Sequence, residues 1–576
     1  MISGGLATTA QVFDPVTVEI LRTRLHSITQ EMGVVLERLS RSYVINEGHH
    51  LGAGVFDGEG RMLAVHLGHP SHLWALALSV KQALAKFSFD LEDGDVIIVN
   101  DPYHGGTVLP EMTMLHVTLL DGESFLFPAV RVRHTDVGGG HPGGFFPSAI
   151  QLYQEGDIIS PVRLVKGGNL LRDVLKRLVK NNRTPHLYEA DLTAMIAAGR
   201  LGQRRIRESF LEFGVDYVVH AASPILSYAA RYLREGIMRW PRGESESRVR
   251  LQGRLKGDFD VEVRARLEVS EENILIDFAG TSPELSQPLN CSLASTYAFS
   301  TLPILAALGG DVPLNEGILE TVKIVAPEGT VVNPKFPAPV SLSGGQLCSL
   351  VSEAVEQAIA SRIGKARKKV WGILPQVIAF NEEGFLSQMS LVPGGDSASE
   401  GQDGWLSPAP LSHQQIPSIE QLELEYGEQF RVLEREIVCD SGGAGQNRGA
   451  PGTRTVLSVL RSGVEITAFG PTLQTGGDRI ELMREGSEAV QSDYWEKVPL
   501  QGGDRLLVEK GGGSGIGPGW KREIHALLED VKDGYVSTEA ATVAYGVVLD
   551  PTSLEVDQAS TIRRRGEIES AGDKAR

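Results

Sequence analysis

A chain of 576 residues, 41% of them hydrophobic, is too long for one core and apolar enough for several, so roughly two to four packed domains are expected. Its 73 acidic against 55 basic residues give a net charge of −18, which repels phosphate backbones and anionic bilayers and argues against nucleic-acid or membrane-surface partners. Cys291, Cys348 and Cys439 lie far apart in sequence without a CxxC pair, which fits neither a disulfide framework nor a thiolate zinc site and points to a reducing cytoplasm. The opening MISGGLATTAQVFD has no basic segment followed by an apolar core, and no apolar run reaches the ~18 residues of a membrane span, so a cytoplasmic protein is expected.

Asp14-Pro15 combines an N-cap acceptor with a proline at the first helical position, where no N–H is needed. Val18, Leu21, Leu25, Ile28, Met32, Val35 and Leu39 follow at spacings of three and four, predicting a long helix with one buried stripe. From Leu51 to about Val137, short apolar runs such as GVFDGEGRMLAV, DVIIVNDPYHGG and SFLFPAVRVRHTDVGGG predict buried strands that end in ordered loops. Residues 168–240 are expected to be mainly helical, from the periodicity of DVLKRLVKNN, LTAMIAAGRLGQRRIRESFLEFG and PILSYAARYLREGIMRW. Alternation from 248 to 280 predicts antiparallel strands, with helices near 292–308 and 347–363.

The Gly-, Ser-, Pro- and acid-rich segment 395–417 reads as a surface loop or linker. Strands are expected beyond it, with two glycine-rich loops, DSGGAGQNRG and EKGGGSGIGPG, then a helical STEAATVAYG and a charged tail whose last ~15 residues are expected to be disordered. The fold class is therefore a multidomain mixture of α/β and α+β. An N-terminal α/β region at 1–245 carries the candidate site, followed by a central α+β region at 246–394, the loop 395–417, a strand-rich region at 418–558 and the tail 559–576.

Ten of the fourteen histidines lie between His26 and His141, which concentrates candidate chemistry in the first quarter of the chain. Three pieces stand out: HLGHPSH with His66, His69 and His72, NDPYHGG with Asp101 and His104, and RHTDVGGGHPGG with His134, Asp136 and His141. Imidazoles and carboxylates on loops held by strands either ligate a divalent metal that activates water near neutral pH or pass protons directly. A hydrogen-bonded loop residue is the plain alternative at each position, as a structural turn is for the glycines of HTDVGGGHPGG, which otherwise suit an anion-binding nest. Neither later glycine loop matches GxxxxGK followed by Ser or Thr, or a full GxGxxG after a clear strand. No GxSxG or HExxH motif is present, so serine-hydrolase and zincin mechanisms have no anchor.

The blocks VFDGEGRMLA, IVNDPYHGGTVLPEM, RHTDVGGGHPGG, LYQEGDIISPVRL, IDFAGTSPE, LNEGILETVKIVAPEGTVVNPKFPAPV, DSGGAGQNRG and AYGVVLD follow one another in the order found in the hydantoinase B/oxoprolinase family. The chain resembles that family from DPVTVEILRTRL at 14 to VAYGVVLD at 543. The resemblance implies a B-type subunit of an ATP-dependent enzyme, similar to those of N-methylhydantoinase, 5-oxoprolinase and the acetone and acetophenone carboxylases. It also implies a hetero-oligomer in which a hydantoinase A-type, actin-like ATPase subunit binds ATP and phosphorylates the carbonyl oxygen of a small molecule. Hydrolysis of a cyclic amide, of hydantoin or 5-oxoproline type, is the leading activity implied. A ketone carboxylase subunit and a catalytically degenerate scaffold for the ATPase partner are the alternatives.

Family members carry a His-x-x-Asp pair in the segment that reads TVLPEM here, which ligates metal together with the histidine of an H-x-D motif. His134 and Asp136 match H-x-D, Glu111 stands at the aspartate and Val108 at the histidine. The implied ligands for a divalent Mn, Zn or Mg ion are thus His134, Glu111 and Asp136, with His104, or His69 and His72, available to replace the lost one. His72 matches a histidine common in the family, whereas Gly68 stands where another is expected, and Gly344 and Gln346 stand where Asn and Glu are usual. The catalytic residues this implies are His134, Asp136, His72, Asp101 and His104.

Overall fold

The computed structural model describes residues 13–574 apart from 88–89, 121–122, 125, 310–311, 365–375, 383–385, 390, 392–393, 407–417, 471–477 and 493. Helix α1, Pro15–Leu39, starts as the sequence predicts: the Asp14 carboxylate accepts the Thr17 N–H at 2.9 Å, with Pro15 at the first position. Leu21, Leu25, Ile28 and Met32 are buried, but the stripe ends on Leu36, and the expected Leu39 is 52% exposed. Met32 and Leu36 are four apart on one face, whereas Leu39 sits in the last turn before the Ser40 cap.

Strands β1 (Leu51–Asp57) and β2 (Met62–Leu67) form a hairpin, and helix α2 (His72–Phe87) follows. Strands β3 (Val96–Val99), β4 (Glu111–His116), β5 (Leu126–Arg133), β6 (Val162–Lys166) and β7 (Asn169–Leu170) complete an antiparallel sheet in the order β2-β1-β5-β4-β3-β6-β7. Helix α2 departs from the strand-and-loop reading of residues 51–137. Its run HLWALALSV is almost continuously apolar, so periodicity does not separate strand from helix, and the Leu and Ala content favours the helix.

Helices α3 (Arg172–Lys180), α4 (Pro185–Phe213) and α5 (Ala222–Ile237) form the expected helical segment. The sheet is buried on both faces. Leu51, Ala53, Val55, Met112, Met114, Val130 and Val132 pack with α1 and α4, while Phe56, Leu115, Phe127 and Ala129 join α2 in a core that continues into the central region. Alternation along β5 thus sends odd-numbered side chains toward α2 and even-numbered ones toward α4.

The central region has the predicted antiparallel hairpin, β8 (Gly243–Arg254) with β9 (Asp258–Val269), and β10 (Ile274–Asp277) paired parallel to β11 (Val322–Val325). Its helices α6 (Leu293–Leu308) and α7 (Cys348–Ile363) fall where expected, and a π-helical turn, Ser343–Leu347, leads into α7. Trp74 of α2 donates to Thr301 of α6 at 2.6 Å, joining the two regions through a buried contact.

Two further sheets with their own core make up the strand-rich region, and one of them takes in the strands Gln376–Phe380 and Leu386–Met389, so this region begins before the expected boundary at 394. Its glycine-rich loops pack backbone to backbone: the Asn447 and Ile516 amides exchange bonds at 3.0 and 2.9 Å, and a Cβ on Gly449 would lie 1.9 Å from the Gly513 carbonyl oxygen. These glycines are needed for that approach, which accounts for their density without a ligand. The expected loop 395–417 is folded on itself over 395–406, with Gly395 paired to Leu406 and Ser399 to Gln402, and its remainder lies outside the described residues. The tail is a helix, Gln558–Lys574, rather than disordered. Asp557 caps it by accepting the Ser560 N–H at 3.0 Å, and Arg565 anchors it by donating to the Arg522 carbonyl at 2.8 Å. Among the described residues no helix is long and apolar enough to cross a membrane.

Candidate active site

Helix α2 begins with His72 directly over β1. Gly52 permits the approach, because a Cβ there would lie 3.0 Å from the His72 Cβ and 3.1 Å from Leu76. His50 immediately precedes β1, and His69 stands on the turn between β2 and α2, its Nδ1 2.7 Å from the Ser71 hydroxyl. The three rings converge: His50 stacks on His69 with centroids 3.8 Å apart, and its Nδ1 lies 3.0 Å from the His72 Nε2. One ring nitrogen of each lies within 4.8 Å of the others, and among the described residues no other trio of His, Cys, Asp or Glu groups is so close.

Glu111, the first residue of β4, approaches from beside this trio, with oxygens 3.8 Å from the His50 Nε2 and 3.7 Å from the His72 Nδ1. The β4–β5 register sets Glu111 opposite Arg133 and Thr113 opposite Arg131, and both arginines point to the α2 side. Arg131 lies 3.4 Å and Arg133 3.5 Å from the Glu111 carboxylate. Arg131 also donates to the Thr107 and Thr113 hydroxyls, and Thr107 donates to Glu111. Arg133 lies over the Phe145 ring at 4.5 Å, and its Nε donates to Gln388 at 3.1 Å. Thus the strand-rich region supplies part of the wall.

Burial sets the charges. It pushes His50 well below its ordinary range and His72 down to about 3, against the pull of Glu111, so both imidazoles are neutral near pH 7. Burial alone would raise the Glu111 carboxyl, but His72 when protonated, the Arg131 and Arg133 guanidiniums and the Thr107 hydroxyl outweigh it and hold the group at about 2. The imidazoles of His50, His69 and His72 and the Glu111 carboxylate form a donor set suited to a divalent cation of the zinc or manganese type. The buried His72 Nδ1, which has no hydrogen-bond partner, fits that use.

The sequence-derived candidates distribute unevenly around this cluster. His72 and Glu111 are in it. His134, one residue past β5, turns toward α4 instead: its ring meets Tyr188 edge-on at 4.6 Å, its Nδ1 is 3.9 Å from the Asp191 carboxylate, and neither ring nitrogen has a hydrogen-bond partner. Asp136 accepts from the Gly138, Gly143 and Arg183 amides and from the Arg183 guanidinium, so its carboxylate fixes the glycine-rich loop. The expected ligand set His134, Glu111 and Asp136 is therefore not among the close groups of three, and the close group shifts to His50, His69 and His72. His104 is half exposed, with its Nδ1 2.8 Å from Asp101, which also caps the turn Pro102–His104.

Three members of the cluster had gone unread in the sequence: His50, Arg131 and Arg133. The arginines do leave a signal, since FPAVRVRH is an apolar strand interrupted by two charges at a spacing of two, which directs both to one face. Cys291 and Cys348, 57 positions apart, also meet near Glu111, with buried sulfurs 3.3 Å from each other.

A sequence profile of the hydantoinase B/oxoprolinase family matches residues 14–519. An uncharacterized protein of Methanocaldococcus jannaschii is 31% identical over 96% of this chain and 100% of its own length. The caprolactamase subunit beta of Pseudomonas jessenii is 28% identical over 96% of this chain and 99% of its own. The crystal structure of the ATP-dependent caprolactamase from Pseudomonas jessenii superposes with a TM-score of 0.89 at 26% identity, covering 96% of this chain and 100% of that one. The chain belongs to the hydantoinase B/oxoprolinase family.

Proposed function

We propose that this member of the hydantoinase B/oxoprolinase family is the B-type subunit of an ATP-dependent enzyme that opens a cyclic amide, working in a hetero-oligomer with an A-type subunit that binds ATP. The observation that carries the reading is the buried cluster of His50, His69, His72, Glu111, Arg131 and Arg133, in a chain whose fold superposes on an ATP-dependent caprolactamase over nearly its whole length.

His50, His69 and His72, with Glu111, are the residues that would hold a divalent ion. When bound, such an ion supplies Lewis acidity toward a carbonyl oxygen and activates water near neutral pH. Glu111, 3.7 Å from the His72 Nδ1, is itself fixed by Thr107 and Arg131. The buried guanidinium of Arg131 adds a fixed positive field where an amide carbonyl gains negative charge, and the scarcity of solvent there strengthens it. His104, half exposed and oriented by Asp101, is placed to exchange protons with solvent.

The test uses the complex purified with its A-type partner. Expected are ATP-dependent opening of a cyclic amide such as a lactam, hydantoin or 5-oxoproline, about one divalent ion per B-type chain, and loss of both in His72→Ala and His50→Ala. Turnover seen only with a ketone plus bicarbonate makes the protein a carboxylase subunit instead. Wild-type turnover in both histidine variants removes this cluster from the reaction.

A further inference from the structure

We propose that Gln388, on a strand of the strand-rich region, is a positioning residue for the reaction: it sets the Arg133 guanidinium against Glu111 and ties it to the glycine-rich loop. The inference rests on the reading of this cluster as the active site and adds a residue that reaches Arg133 from 255 positions away.

The side-chain amide of Gln388 makes two bonds at once. Its Oε1 accepts the Arg133 Nε–H at 3.1 Å, and its Nε2 donates to the Gly143 carbonyl at 2.9 Å. An arginine Nε only donates and a backbone carbonyl only accepts, so the amide has one productive orientation and loses both bonds if it turns over. Gly143 is held from its other side, because its N–H donates to the Asp136 carboxylate at 3.0 Å. Two residues further on, the centroid of the Phe145 ring lies 4.5 Å from the Arg133 guanidinium carbon. Gln388, Arg133, Phe145 and Gly143 therefore form a closed circuit in which each member limits the next.

The origin of its contacts sets Arg133 apart from Arg131. Arg131 donates to Thr107 and Thr113 and approaches Glu111, all on its own sheet or the loop leading into it. Arg133 reaches the same carboxylate at 3.5 Å, but the acceptor at its Nε comes from the strand Leu386–Met389. That strand is itself anchored. It pairs with Gln376–Phe380, which pairs with Val464–Phe469, and Ser387, pointing to the opposite face from Gln388, donates to Glu425. The loop that carries Gly143 and Phe145 docks on the same sheet, with the His141 Nε2 2.6 Å from the Thr467 hydroxyl and the Phe145 and Phe469 ring centroids 6.4 Å apart. The strand-rich region thus acts on the site through Gln388, which keeps Arg133 facing Glu111. A displacement of about 1 Å near a reacting centre costs up to about a hundredfold in rate, whereas the hydrogen bonds of one half-buried amide carry little of the stability of the fold.

The test uses the complex with its A-type partner and whichever of a lactam, hydantoin or 5-oxoproline the wild type opens. In Gln388→Met, which keeps the length and removes both bonds, kcat is expected to fall about ten- to hundredfold with KM within about twofold. Because Gln388 acts through Arg133, Gln388→Met combined with Arg133→Met should be no slower than Arg133→Met alone, whereas a purely structural role would multiply the two losses. A crystal structure of the Gln388→Met complex should show the Arg133 guanidinium moved by about 1 Å or more relative to Phe145 and Glu111. Multiplied losses, or a guanidinium that keeps its place, overturn the proposal. Should Gln388→Met fail to fold, Gln388→Glu retains an acceptor for Arg133 and gives up the donor to Gly143. It is expected to keep Arg133 in place and to turn over faster than Arg133→Met, and an equal loss overturns the proposal as well. Wild-type kcat in Gln388→Met overturns this inference alone. A wild-type complex that opens no cyclic amide, together with a displaced Arg133 in Gln388→Met, overturns only the assigned reaction.

Discussion

Glu111→Gln is the most informative single change, because it keeps shape and removes the one carboxylate that, among the described residues, contacts both Arg131 and Arg133. The group is held at about 2 against an ordinary 4.5, and about 2.5 units at about 1.4 kcal/mol each correspond to about 3 kcal/mol of stability from its ionised form. Leaving buried guanidiniums without their partner costs about 3–5 kcal/mol by the general behaviour of buried ion pairs, so the two routes agree. For a folding unit of about 150–250 residues, each kcal/mol moves Tm by roughly 2–4 °C, which gives a drop of about 10 °C at pH 7. Because the folded pKa is depressed, this stabilisation is present above about pH 4.5 and is lost as pH falls through about 2. The gap between wild type and variant should therefore be full at pH 7 and shrink below pH 4. Differential scanning calorimetry at both pH values measures it. A variant Tm within about 2 °C of wild type at pH 7 would refute the charge assignment on which the site description stands.

Two further outcomes follow from particular contacts. Glu155 is buried and accepts the Val340 and Ser341 amides at 3.0 and 2.8 Å, yet burial raises it to about 7 from 4.5. A raised folded pKa contributes stability below about pH 4.5 that is lost as pH rises through 7. The stability of Glu155→Gln relative to wild type should consequently grow by about 3 kcal/mol across that window, and a constant difference in denaturation midpoints would exclude it. Gly68→His restores a histidine expected from the family resemblance, but a Cβ at 68 would lie 2.1 Å from the His49 carbonyl oxygen. It should destabilise by about 1–3 kcal/mol and fail to raise turnover, both read by thermal shift and activity of the complex.

Local chemistry was legible in the sequence wherever it was decided within a few residues. The Asp14-Pro15 start of α1 and the alternating strands of the 243–269 hairpin depend on nearest neighbours along the chain. Helix α2 was not legible, because a run buried nearly throughout loses the periodicity that distinguishes helix from strand. The same limit applies to the site. His50 meets His72 only because Gly52 lets α2 settle on β1, and Glu111 meets Arg133 only through the register of β4 on β5, neither of which a linear motif encodes.

Motif letters and motif geometry also separate at the H-x-D run. Asp136 keeps the expected identity while its carboxylate accepts from four donors that shape the following loop, and His134 faces α4 rather than Glu111. With Val108 buried among apolar side chains and Gly68 closed off by the His49 carbonyl, no imidazole is available at the two positions where the resemblance expects one. His50 and His69 are stacked on each other beside His72. Because His72 is the first residue of α2, shortening or lengthening the turn 68–71 by one residue would rotate His72 about the helix axis by about 100° and dissolve the cluster.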